Sequence, residues 1–284
     1  MQMPSFIQSR FTEASNRVSG GGVAGVFAMG ARSAVIVGPC VAAPTSSAIA
    51  RSEVQRCVES LAEAAEAMFA ALALLATDFV EAWTLADGGF SSDQVASLQP
   101  AIFTQLDRQS AFESAGFVLT SDALTDRQRH LEWWQRGTNR TYQPLILDVE
   151  PGAADCYDYY SMEWFEAAVH RGHRFVSGPL IDLPCADVYI MTFSLPMSAG
   201  SVLLGVAAAD VGLARFESSI LPPLRHLGAP AVLLNREHRV ISSNDPRWAT
   251  GDRLRGIDAN EHGEWQCVTE VGVQLGWTLA VAAG

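Results

Sequence analysis

The sequence predicts an α+β fold in which one long N-terminal helix carries two antiparallel-sheet units, a larger one followed by a smaller one. Three observations support this. A helical period runs unbroken over residues 46–85, short apolar or alternating runs separated by turns fill the chain after it, and residues 223–284 repeat the strand-turn-strand theme on a smaller scale. A chain of 284 residues can bury most of its apolar surface without help from disulfides or metals.

Residues 1–45 mix Gly, Ser, Ala and Pro with little periodicity and are expected to form a poorly ordered leader. Gly20, Gly22 and Gly25 match GxGxxG, but no strand-like run precedes them and no acid follows in a βαβ context, so a dinucleotide loop is not indicated. In the helix of residues 46–85, Val54, Val58, Leu61, Ala65, Met68, Leu72, Leu75 and Phe79 recur at steps of three and four, while Glu53, Glu59, Glu63 and Glu66 keep to other faces. Thr45, Ser46 or Ser47 could cap its start, and Gly88-Gly89 follows its end. A helix of roughly 38 residues spans about 57 Å at 1.5 Å per residue, longer than one small domain needs. It should run alongside two packed units or against a partner helix.

Residues 86–222 form the larger unit in this reading. A second helix is expected from Ser92 to Gln109. "AFESAGFVLTS", "HLEWWQRG", "QPLILDV", "RFVSGPLID", "VYIMTFSLPM" and "SVLLGVAAADV" then suit an antiparallel sheet, with "SMEWFEAAVHRG" a short helix between them. "VGLARFESSILPPLRHLG" reads as helical up to its double proline and joins the two units. In the smaller unit, "APAVLLNREHRVISSN" is two strands around the turn "NREHR", and "EWQCVTEV" and "QLGWTLAVAA" are two more.

Composition narrows the function. Hydrophobic residues make up 49% and charged residues 18%, a globular profile, and the formal charge of -12 disfavours a nucleic-acid backbone as partner. Cys40, Cys57, Cys156, Cys185 and Cys267 are odd in number and widely spread, which suggests free thiols in a reducing compartment. The start has no apolar core that could serve as a signal peptide. "GGVAGVFAMGARSAVIVGPCVAAP" is broken by Arg32, and "AMFAALALLATDFV" is short for a span of about 20 residues. A cytoplasmic protein without a membrane span is therefore expected.

The stretch "EWFEAAVHRGHRFVSGPLIDLPCADVYIMTFSLPMSAGSVLLGVAAADVGL" resembles the double Cache sensor family, in which a "WY" helix, a "GPY-D" turn, a "T-S-PV" strand and a "G-VG-D" strand follow in that order. Trp164-Phe165, Gly178-Pro179, Asp182, Thr192, Ser194, Pro196, Gly205 and Asp210 stand at the corresponding positions. The resemblance covers about residues 46–284. It implies two PAS-like sheets carried on a long helix, with a small molecule bound in the larger module. Most members are extracellular parts of membrane receptors.

Amino-acid-binding members show Tyr, four residues, Arg, one residue, Trp-Tyr, then an acid on each of two later strands. Aligned so, Tyr157 matches the first position, Met162 stands where the Arg should be, Trp164 and Phe165 fill the aromatic pair, and Asp182 and Asp210 supply both acids. A thioether cannot replace the two parallel hydrogen bonds of a guanidinium to a carboxylate. The resemblance therefore implies an amine or other cationic ligand, with Tyr159 or Tyr160 adding ring faces at about 0.5–2 kcal/mol per cation–π contact. Trp133-Trp134 either closes this pocket from a facing strand, through Trp134, or packs beneath it. Taken without the resemblance, Trp164 and Phe165 suit a core, Asp210 a helix cap and Asp182 a turn.

His170 and His173 lack a nearby third ligand, and Asp148, Glu150, Asp155 and Asp158 lack calcium-loop spacing, so neither metal nor cofactor is expected. The favoured function is a soluble sensor, dimeric through the long helix, that passes its signal to a regulator or transporter. An amine- or sugar-processing enzyme with paired carboxylates and a ligand-free dimerisation scaffold are the alternatives, although no GxSxG, Walker or HExxH motif is present.

Overall fold

A computed structural model describes residues 49–121, 123–154, 156–182, 188–257 and 263–283. The expected leader, with Cys40, Cys185 and the proposed capping residues Thr45, Ser46 and Ser47, lies outside the described residues. The first element, α1 (Arg51–Leu85), follows the sequence period closely: Val54, Val58, Leu61, Ala65, Met68, Leu72, Leu75 and Phe79 are all buried. It ends where Asp87 and Gly88 take positive φ, a conformation that glycine adopts without strain.

The predicted helix from Ser92 to Gln109 is broken into α2 (Ser92–Ala96) and α3 (Gln99–Arg108). Pro100 lies in the first turn of α3, where its missing N–H costs nothing, but there it cannot continue the hydrogen bonding of α2. Then come β1 (Phe112–Leu119), β2 (Leu131–Arg136) and β3 (Tyr142–Pro144). The strand expected in "QPLILDV" stops at Pro144, which brings no N–H to a ladder. After α4 (Glu163–Arg171), closed by Gly172 at φ 65°, the chain enters β4 (Phe175–Asp182), β5 (Val188–Ala199) and β6 (Val202–Gly212). These six strands form one antiparallel sheet in the order β3-β2-β1-β6-β5-β4.

The connecting helix α5 (Leu213–His226) runs through Pro222 and Pro223 instead of stopping before them. Tertiary packing overrides the cost of an interior proline, about 3 kcal/mol. Phe216, Ile220 and Leu224 are buried along one side of α5, and the Asn244 amide donates to the carbonyls of Leu224 and Ala229 at 2.7 and 2.8 Å. The smaller sheet holds β7 (Ala231–Leu234), β8 (Val240–Ser243), β9 (Trp265–Val271) and β10 (Trp277–Ala282), in the order β8-β7-β10-β9.

Strand alternation sends one face of each sheet into a common core with α1, α3 and α5. Ala115, Phe117, Met191, Phe193, Ala207 and Ala209 enter it from the larger sheet, and Leu233, Cys267, Trp277 and Leu279 from the smaller. Trp277 packs edge-on to Phe193 at 6.3 Å and to Phe216 at 6.2 Å, so the two sheets share aromatic contacts. Cys57 and Cys267 are buried and Cys156 is half-buried.

Candidate functional site

The face of the larger sheet turned away from α1 divides into an aromatic patch and a polar row. In the patch, Tyr159, Phe165, Trp133, Val118, Val206 and Ala208 form a separate buried cluster. Tyr159 is fully buried; its hydroxyl donates to the Leu119 carbonyl at 2.7 Å, its ring stacks on Tyr160 at 5.1 Å, and Phe165 meets it edge-on at 5.0 Å. Burial pushes the Tyr159 phenol well above the usual tyrosine range. The Arg129 guanidinium already lies 4.6 Å from the Tyr160 ring centre. Tyr159 and Phe165 thus stand as core, and the chain's own Arg129 covers the tyrosine pair.

Trp134 sits on the opposite face from this patch. It meets Phe103 of α3 edge-on at 4.9 Å and its indole N–H donates to Glu132 at 2.7 Å, while Trp133 joins the cluster around Tyr159. Successive strand residues point to opposite faces, so of two adjacent tryptophans only one can face a given side. Register places Trp133 opposite Gly116 and Trp134 opposite Ala115.

The polar row runs across the whole sheet. Directly opposed residues on neighbouring strands are, in order, Gln143, Gln135, Ser114, Asp210, Thr192 and Ser177. Side chains of directly opposed antiparallel residues project to the same face. Asp210 is half-buried at the centre: Ser114 donates to its Oδ2 at 2.8 Å and Thr192 to its Oδ1 at 2.7 Å. One step along β5, Ser194 donates to the Trp164 carbonyl at 2.7 Å, which anchors the first turn of α4 beside the row. Met162, half-buried, is the residue that caps α4, and half-buried Tyr157 packs against the aromatic patch.

Of the residues singled out from the sequence, the fold brings Trp164 and Asp210 to neighbouring positions on one face. Asp182 ends β4 opposite Val188, and its side chain lies outside what is described. Sequence reading missed Ser114 and Ser177 as site residues and treated Thr192 and Ser194 only as motif positions. Their signal was present: Ser114 and Ser177 interrupt the largely apolar runs "FESAGFVL" and "FVSGPLID", and Thr192 and Ser194 alternate with apolar neighbours in "MTFSLP". Among the described residues there is no group of three or more His, Cys, Asp or Glu side chains suited to a metal.

Residues 101–218 match the family model of the methyl-accepting chemotaxis protein-like first PDC sensor domain. The sensory domain of the Campylobacter jejuni chemoreceptor Tlp3 superposes with a TM-score of 0.59 at 8% identity, covering 82% of this chain and 91% of that one. A second Tlp3 structure, in complex with L-valine, gives 0.58 at 8% identity over 82% and 90% of the two chains. The structure called methyl-accepting chemotaxis protein X gives 0.53 at 12% identity over 82% and 95%.

A different match lies at the other end. Residues 1–81 match the transmembrane domain of the cytochrome c biogenesis protein family. Thiol:disulfide interchange protein DsbD of Pectobacterium atrosepticum is 53% identical over 47 residues, 16% of this chain and 8% of that protein, and DsbD of Neisseria meningitidis is 51% identical over 49 residues. The chain thus spans a small fraction of these relatives. In addition, α1 is long and apolar enough to cross a membrane by length and composition, although 33% of its most apolar window is buried against the sheets. Helix α1 thus passes the length and composition test for a span where the sequence reading expected none, and the match of residues 1–81 is to a membrane-spanning family. The element order, the two sheets and the match of residues 101–218 to a PDC sensor-domain model agree with the Cache resemblance read from the sequence.

Proposed function

We propose that the larger module binds a small cationic metabolite, most simply an amine, and that occupancy is signalled to a partner protein. Asp210 is the anchor. A carboxylate set in mid-sheet with each oxygen held by a hydroxyl donor has a fixed orientation, and a carboxylate so oriented can accept a charge-assisted bond from an ammonium group. Trp164, at the start of the helix fixed beside the row, supplies a ring wall, and Asp182 is the second acid of the proposal. Met162 at the cap of α4 favours an amine over an α-amino acid, because it offers no guanidinium for a carboxylate. A regulator or transporter is the proposed receiver of the signal. A second copy paired along α1, where Ala67, Ala70 and Leu74 are exposed, is the proposed assembly.

A thermal-shift series of amines, amino acids and carboxylates tests this reading. A ligand specific to the folded state adds about 2.7 kcal/mol at a hundred times its Kd, so a binding amine should raise the melting temperature with concentration. Asp210→Ala should remove that rise, a loss of about a hundredfold or more in affinity, while the unliganded protein stays folded. Stabilisation by carboxylates with none by amines, or an unchanged rise in Asp210→Ala, would overturn the proposal.

A further inference from the structure

The polar row contains one hydroxyl that nothing satisfies. Ser177, 7% exposed, has its Oγ buried and without a hydrogen-bond partner, while its neighbours Thr192 and Ser114 both donate to Asp210. A buried donor left unmet is costly, and native folds keep few of them. Its placement is also fixed by its neighbours: Asn235, from the β7–β8 turn of the smaller module, donates to the Gly178 carbonyl at 2.7 Å. The Arg236 guanidinium lies 4.1 Å from the ring centre of Phe175, two residues before Ser177. β4 is therefore pinned at both sides of Ser177, and the hydroxyl stays on the face that carries Asp210.

We infer that Ser177 is a specificity-determining contact, and that the ligand is an amine carrying a second hydrogen-bonding group at its far end. The inference rests on the amine reading of Asp210. Ser177 and Asp210 are separated by one intervening strand, so their backbones lie about 10 Å apart at the usual strand spacing. With both side chains reaching toward the guest, a chain of four to six atoms between ammonium and hydroxyl or carbonyl spans the gap. A plain alkylamine reaches Asp210 but leaves Ser177 unmet; a difunctional one satisfies both. Satisfying a polar group already buried in the site discriminates more sharply than adding apolar contact.

Aminopentanol, with amine and hydroxyl at opposite ends, and pentylamine form a matched pair for calorimetry on the full chain. The wild type should bind aminopentanol about tenfold more tightly than pentylamine, and Ser177→Ala should bind the two within about twofold. Because Ser177→Ala removes an unsatisfied group, the unliganded variant should melt at the same temperature as the wild type or above it. Equal affinities in the wild type, a preference that survives in Ser177→Ala, or a lowered melting temperature of the variant would each overturn the Ser177 assignment while leaving the amine reading intact. Binding of neither compound, with an anion taken up instead, would overturn both.

Discussion

The two modules put the same architecture to different ends, and their outward faces show how. In the smaller sheet the face turned from α1 carries Val232, Leu234, Val240, Trp265, Ala280 and Ala282, with Trp248 set against Trp265 at 5.3 Å. Its centre is apolar and covered by two indoles, with Ser243, Thr278 and Glu270 at its margins. In the larger sheet the equivalent face begins the same way, with Trp133, Val118, Val206 and Ala208, but one step further it becomes a row of hydroxyls around a carboxylate. Polar groups buried on a sheet weaken packing unless they bond one another or a guest. A carboxylate held in mid-sheet by two hydroxyl donors distinguishes the face of the larger module, where the ligand is proposed to bind.

The largest effect that could break this comparison is in the smaller module. Trp265→Ala should lower stability by about 3–5 kcal/mol through the cavity it leaves, while ligand affinity in the larger module stays within about twofold. Urea unfolding and calorimetry on the same samples measure both, and a large loss of affinity with little loss of stability would mean that the smaller module holds the site.

A smaller effect sharpens the contrast within the larger sheet. Tyr159→Phe should cost about 1–2 kcal/mol, because the Leu119 carbonyl loses a buried donor, and it should leave ligand binding unchanged. A tenfold change in affinity would return Tyr159 to the pocket wall.

The smallest concerns the α1 face. Burial alone would push the Glu132 carboxyl up, but hydrogen bonds from Trp134 at 2.7 Å and Gln99 at 3.4 Å oppose it, with the His130 imidazole 3.7 Å away. Together they hold it below the usual glutamate range. A lowered folded-state pKa means that stability is present above the ordinary glutamate value and is lost as pH falls through the folded-state value. Glu132→Gln should therefore show a shallower loss of stability than the wild type between about pH 5 and pH 3. Parallel acid limbs in chemical unfolding would show that the Glu132 contacts do not matter for folding.

Much of this was legible beforehand. The period of α1, the order of strands and the turn "NREHR" follow from spacing, because helix and strand periods are local properties of the chain, while Asp210 was singled out by the resemblance. The break between α2 and α3 was also signalled, by Pro100, but the long apolar period around it concealed the proline. Pro222 and Pro223 misled in the other direction: a local rule forbade the helix, and burial of Phe216, Ile220 and Leu224 overruled it.

What the sequence by itself determined is which residues could do chemistry: the two carboxylates Asp182 and Asp210, aromatic residues in a cluster, and no guanidinium at the position of Met162. Only the tertiary structure decided which of them meet. Strand register set Ser114, Thr192 and Ser177 in line with Asp210, and strand parity sent Trp133 to one face and Trp134 to the other. Both depend on pairing between segments far apart in the chain, and a change of one residue in register would turn every side chain to the opposite face.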